Sequence, residues 1–157
     1  MKLAFISGIA GIVLSGFAWP AHSQQNHGSD HAMPQDTRQV VHFPEGLRIH
    51  TLANMRDHLL ALQQINEALA KQEFEEVARI SESRLGSTSL EAHGAHQLAP
   101  YMPKGMQDFG SAMHVAASRL AIVAMDAGAT GDHRPTLAAL GQVMKQCVAC
   151  HAAYRLQ

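Results

Sequence analysis

Apolar residues recur at helical spacing along most of this chain. From about Arg48 to Lys71, residues Leu52, Met55, Leu59, Leu62, Ile65 and Leu69 step by three and four, which predicts a helix with one apolar face. A shorter helix is expected from Glu73 to Arg84, with Phe74, Val77, Ile80 and Leu85 inward and Gly86 as its C-terminal stop. The pattern then loosens between Ser87 and Pro103, where Pro100 and Pro103 mark an irregular crossing and Thr88-Ser89-Leu90-Glu91 reads as a capping box. From about Lys104 to Ala127 the period is regular again. Met102, Met106, Phe109, Met113, Ala116, Leu120, Val123 and Ala127 form a seam, with the small residues Gly110, Ala112, Ala116, Ala117 and Ala121 available for close approach.

A turn at Ala127-Gly128-Ala129-Thr130-Gly131, an N-cap at Asp132 and Pro135 in the first turn announce the last helix. Its inward register is expected on Leu137, Leu140, Met144, Cys147, His151 and Tyr154. Four helices without a strand pattern predict an all-α fold, an antiparallel four-helix bundle over residues 47–157.

The last helix carries Cys147-Val148-Ala149-Cys150-His151. C-x-x-C-H is the signature of covalent c-type haem attachment, with two thiols for the two vinyl groups and the adjacent imidazole for the iron. Residues three apart on a helix share a face, so both sulfurs can meet one porphyrin edge. Three other readings were weighed. A redox dithiol belongs at the start of a helix that follows a strand, whereas this motif sits late in a helix. A structural zinc site needs four ligands, and the chain has only these 2 cysteines. A plain disulfide, or two buried thiols beside a chance histidine, is the third.

Cys147, Cys150, His151, Tyr154 and Arg155 together match C-x-x-C-H-x-x-(Tyr or Phe)-Arg. In this the chain resembles the class II cytochromes c, which include cytochrome c prime and its low-spin, methionine-ligated relatives. The resemblance implies a four-helix bundle with one haem c per chain near the C-terminus. It also implies Cys147 and Cys150 as covalent attachments, His151 as an axial iron ligand and electron transfer as the function. Homodimers are common among such proteins. Met55 occupies a place similar to the methionine that fills the sixth position in the low-spin members. His58, one turn later, is the alternative sixth ligand. With neither bound, the iron would be five-coordinate behind an apolar wall including Leu59, and the protein would bind nitric oxide or carbon monoxide.

A thioether opposite histidine fills the coordination sphere and suits an electron carrier, whereas an open position suits gas binding. A peroxidase-like enzyme, using His58 or His114 as acid or base, is a third option that no motif demands. Arg155 would set a positive charge near the haem edge, or else serve only the helix end.

The N-terminal segment has the three parts of a secretory leader: Lys2, an apolar run from Leu3 to Ala18, and small residues Ala21 and Ser23 before a cut ahead of Gln24. Residues 1–23 are therefore expected to direct export to the periplasm, where the c-type maturation machinery and redox partners would be met. Residues 24–46 are polar and read as a flexible tail, in which His27, His31 and His42 could bind metal, as could the loop pair His93 and His96. With 12 Lys and Arg against 13 Asp and Glu, a net charge of −1 gives no basic surplus for nucleic acid. No phosphate loop, hydrolase elbow or paired-carboxylate motif points to a non-haem enzyme.

Overall fold

The computed structural model describes residues 35–157. The leader and the tail histidines His27 and His31 lie outside the described residues. Most of the described chain is helical: α1 spans Glu45–Ala70, α2 Phe74–Ile80, α3 Ala95–Leu98, α4 Lys104–Thr130 and α5 Arg134–Ala153. Helix α2 runs on through one wider π-turn, Ser81–Leu85, and single 3₁₀ turns occupy Ser87–Ser89 and Ala99–Tyr101. Two three-residue strands, β1 (Gln39–Val41) and β2 (Tyr154–Leu156), pair in parallel with Gln39 opposite Tyr154 and Val41 opposite Leu156. Among the described residues, no helix is long and apolar enough to cross a membrane.

Pro44 precedes α1 and Pro103 precedes α4, in keeping with the preference of proline for helix starts. Helix α4 ends on Gly131 in the left-handed conformation (φ 75°), which glycine adopts without steric cost. The expected capping box does not form. Thr88 instead turns back, its amide donating to Glu82 Oε1 and its hydroxyl to the Glu82 carbonyl. Asp132 also does not cap α5, which starts after His133; its carboxylate accepts the Arg134 amide and guanidinium.

Two apolar clusters form. The larger draws Ala61 and Ile65 from α1, Val77 and Ile80 from α2, Leu85 from the π-turn, Leu120 and Ala124 from α4, and Leu140 and Val143 from α5. The smaller joins Val41 of β1 and Phe43 just after it to Leu98 and Met106. Thus the polar segment expected to stay flexible over 24–46 is part of the fold from Asp36 onward, because Val41 and Phe43 are buried.

The register of α1 also differs from expectation. Its buried residues are Thr51, Ala61, Ile65 and Ala68; of the predicted stripe, Ile65 is buried, Leu62 and Leu69 pack partly buried against the core, and Leu59 is 68% exposed. Alanine at 61 and 68 lets the neighbouring helices approach closely, so the packed face is centred on the small residues beside the stripe, and Leu59 falls outside it. In α4 the positions Met106, Met113, Leu120 and Ala127 are buried as expected, but Ala117, Ala121 and Ala124 accompany them rather than Phe109, Ala116 and Val123. Helix α5 likewise buries Thr136 and Val143 and leaves Leu137 and Met144 about half exposed.

The corrected α1 and α4 faces predict opposite outcomes for two leucines. Leu120→Ala, at a fully buried site, should lower the unfolding free energy by about 2–5 kcal/mol. Leu59→Ala should change it by no more than about 0.5 kcal/mol. Urea unfolding of both variants checks this; equal losses would restore the leucine-rich face as the packed one.

Candidate functional site

Between the two apolar clusters lies a cavity of about 370 Å³, within the size range of small-molecule and cofactor sites. Helices α1, α4 and α5, residues 90–102 and Phe43 wall it. Helix α1 contributes Thr51, Asn54, Met55 and His58; residues 90–102 contribute Leu90, His93, His96, Leu98 and Met102. Helix α4 contributes Met106, Phe109, Met113 and His114, and α5 contributes Cys147, Cys150 and His151. The lining is mostly apolar and holds sulfur and imidazole groups in unusual number.

The two cysteines bracket the gap between the clusters: Cys147 packs against the larger and Cys150 against the smaller. Both are unbridged and half-buried, and the Cys147 thiol donates to the Val143 carbonyl at 3.6 Å. Burial pushes both thiols above their ordinary pKa, and for Cys150 the neighbouring Cys147 adds to the effect, so both are protonated at neutral pH. His151 is exposed, not inward as the heptad spacing predicts, yet it still reaches the cavity. The reason is the rotation of α5 that buries Val143 rather than Met144.

The end of α5 is held from the N-terminal side. Strand β1 pairs with the three residues that follow the helix, and Arg38 Nη1 donates to the His151 carbonyl at 3.3 Å, one of the carbonyls a helix end leaves without a helical partner. Arg155 belongs to this strap. It does not line the cavity; its Nε lies 3.4 Å from Asp36 Oδ2, and Asp36 is also bound by Arg38. These guanidinium contacts, Arg38 first, hold the Asp36 carboxyl well below the usual carboxylate range. Tyr154 crosses α4 at Gly105, where a Cβ would sit 2.4 Å from the phenol oxygen, so no larger residue fits there without moving Tyr154.

Met55 and His58 both face the cavity, at different depths. Met55 is half-buried. The Nε2 of His58 is buried with no hydrogen-bond partner, an arrangement that costs about 1–3 kcal/mol for a polar group. Burial first, and then the neighbouring His93 and His114, push the His58 pKa down to about 4, so its ring is neutral near pH 7. Burial likewise lowers that of His93. Next to His58, Asp57 is paired with Arg84, which bridges α1 to the π-turn and holds the carboxyl below its ordinary value. Leu59 faces away and forms no part of the cavity wall.

The loop histidines do not act as the pair their spacing suggests. His93 stacks edge-on with His58 (ring centroids 4.7 Å apart) and lies 5.4 Å from His114, whereas His96 is exposed. His42 is exposed on the strap. The sequence pattern gave no sign that His58, His93 and His114 converge, since they come from three segments and only the tertiary fold brings them together.

If the strap secures α5, a charge inserted into it should cost stability. Val41→Asp, at a position 3% exposed, should lower the unfolding free energy by about 2–4 kcal/mol; His42→Asp, exposed and adjacent, should stay within about 0.5 kcal/mol. Urea titrations of the two variants decide it, and a neutral Val41→Asp would mean that β1 is dispensable. The chain matches no protein-family model, no curated protein and no solved structure.

Proposed function

We propose that this chain is an exported, single-haem c-type cytochrome that carries electrons, with α1, α2 and its π-turn extension, α4 and α5 as the four helices of an antiparallel bundle. The observation that carries this reading is the opening of Cys147, Cys150 and His151 onto one mostly apolar cavity whose α1 wall holds Met55. The residues fit the group. Two protonated thiols three positions apart, an imidazole beside them and a cavity that the chain leaves unfilled between its two cores are what a covalently held porphyrin requires.

In this reading Cys147 and Cys150 would hold the haem through thioether links, each S–H adding across one vinyl double bond. His151 would hold the iron through a ring nitrogen, and Arg38, through the His151 carbonyl, steadies the turn that bears it. Met55 would hold the iron from α1 through its thioether sulfur. The bound haem supplies a one-electron iron couple. The apolar wall of Met102, Met106, Phe109 and Met113 keeps water from it, which together with thioether ligation raises the reduction potential. A sphere filled on both sides changes little between oxidation states, as a carrier needs.

The five-coordinate, gas-binding alternative loses its expected wall at Leu59, which points to solvent. His58 as sixth ligand keeps one supporting observation, its buried and unpartnered Nε2. The partners in this reading are the c-type maturation machinery and redox proteins of the periplasm, and a homodimer is compatible with it.

The visible spectrum of the reduced protein, with and without carbon monoxide, tests the ligand set. The expected result is a low-spin spectrum that carbon monoxide leaves unchanged, and a Met55→Ala variant that binds carbon monoxide stoichiometrically. Ready carbon monoxide binding by the unsubstituted protein would overturn the His151/Met55 pair. An unchanged spectrum in Met55→Ala would move the sixth position to His58 or leave it empty.

A further inference from the structure

Three imidazoles on the cavity wall have no task in the electron-carrier reading. His58 comes from α1, His93 from the turn before α3 and His114 from α4, and their ring centroids lie 4.7, 5.4 and 6.3 Å apart. Three imidazoles bound to one ion through nitrogens at about 2.0–2.1 Å, with near-tetrahedral angles, have ring centroids roughly 5 Å apart. The spacings of His93 to its two neighbours match that figure, while His58 and His114 stand further apart.

Their hydrogen bonds leave the matching nitrogens open. His114 Nδ1 lies 2.8 Å from the Leu85 carbonyl and 3.2 Å from the Gly86 carbonyl. Carbonyls only accept, so Nδ1 carries the hydrogen and Nε2 the lone pair. Ser89 commits its hydroxyl hydrogen to the Gly86 carbonyl at 2.7 Å, so toward His93 Nδ1, 3.3 Å away, it accepts. That assigns the hydrogen of His93 to Nδ1 as well, leaving its Nε2 bare. In His58 it is Nε2 that is buried without a partner. Backbone carbonyls and a hydroxyl that fix the tautomer through Nδ1 are the outer shell that metal-binding histidines commonly have. Asn54 adds a further tie from α1, donating to the His93 carbonyl at 3.1 Å.

We propose that His58, His93 and His114 form a three-histidine site for a first-row divalent cation, zinc or copper, separate from the iron and beside it in the same cavity. Neutral imidazole suits these ions, and three protein ligands leave a fourth position open. Among the described residues no three His, Cys, Asp or Glu side chains, as they stand, could hold one metal ion, so binding requires the half-buried His58 and His93 rings to turn toward His114, which is buried and anchored on two carbonyls. The site goes beyond the haem reading and fails separately from it, since the visible spectrum reports the haem and zinc has none.

Calorimetric titration of the purified, haem-loaded protein with zinc chloride tests this, run alongside His93→Gln and His58→Gln. The expected result is one tight zinc equivalent, weakened at least 100-fold in each variant. Weaker binding by the exposed histidines should persist equally in all three proteins. Copper(II) should occupy the same equivalent and show nitrogen hyperfine structure from three imidazoles by electron paramagnetic resonance. The visible spectrum of His93→Gln should match that of the unsubstituted protein before zinc is added. The absence of a tight equivalent, or its survival in both variants, would overturn the site. A shift in the reduced spectrum of metal-free His58→Gln would overturn it too, by assigning His58 to the iron.

Discussion

Helix α5 serves two apolar clusters at once, and the space between them is left open. Cys147 packs on the larger cluster and Cys150, one turn on, packs on the smaller. Closing the gap with the chain's own side chains would require bulky residues where these thiols stand. The lining offers instead sulfur and imidazole groups, among them His58 Nε2, which is buried without a hydrogen-bond partner. A protein interior normally fills to the density of an organic crystal and pairs its buried polar atoms. A cavity that departs from both tendencies is the feature around which the helices and the strap are arranged.

The strap follows from the same constraint. An α5 whose last two turns flank an opening cannot be fixed from the cavity side by packing alone. Strand β1 fixes it from behind, through parallel pairing with β2 and the Arg38 contact to the His151 carbonyl. Arg155, expected from the sequence near a porphyrin edge, instead joins Asp36 in that strap. Its position in the motif is explained here by the fold, through β2, and not by contact with the cavity.

Much of this was legible from residue order. Helical period located all the long helices, and the C-x-x-C-H spacing picked out three residues that do share one cavity. Orientation was harder to read. In α1 the predicted stripe holds at Leu62, Ile65 and Leu69, but Leu59 turns to solvent while Ala61 and Ala68, which no apolar period singled out, take buried positions. In α5 the β-branched Thr136 and Val143 took the inward positions in the same way, turning His151 outward. The strap was missed because a polar segment with only Val40, Val41 and Phe43 to bury shows no periodicity until its partner strand, more than a hundred residues later, is known. The histidine cluster was invisible for a related reason: its members lie 35 and 21 positions apart in the chain and meet only once α1, the turn before α3 and α4 are assembled.

The most direct test of a covalently held porphyrin is the intact mass of the protein, purified after export from a host with c-type maturation machinery. The mass should exceed that of the processed polypeptide by one haem, and the colour should stay with the protein in acidified acetone. Colourless protein at the bare polypeptide mass, with Cys147 and Cys150 both open to alkylation after unfolding, would contradict the assignment.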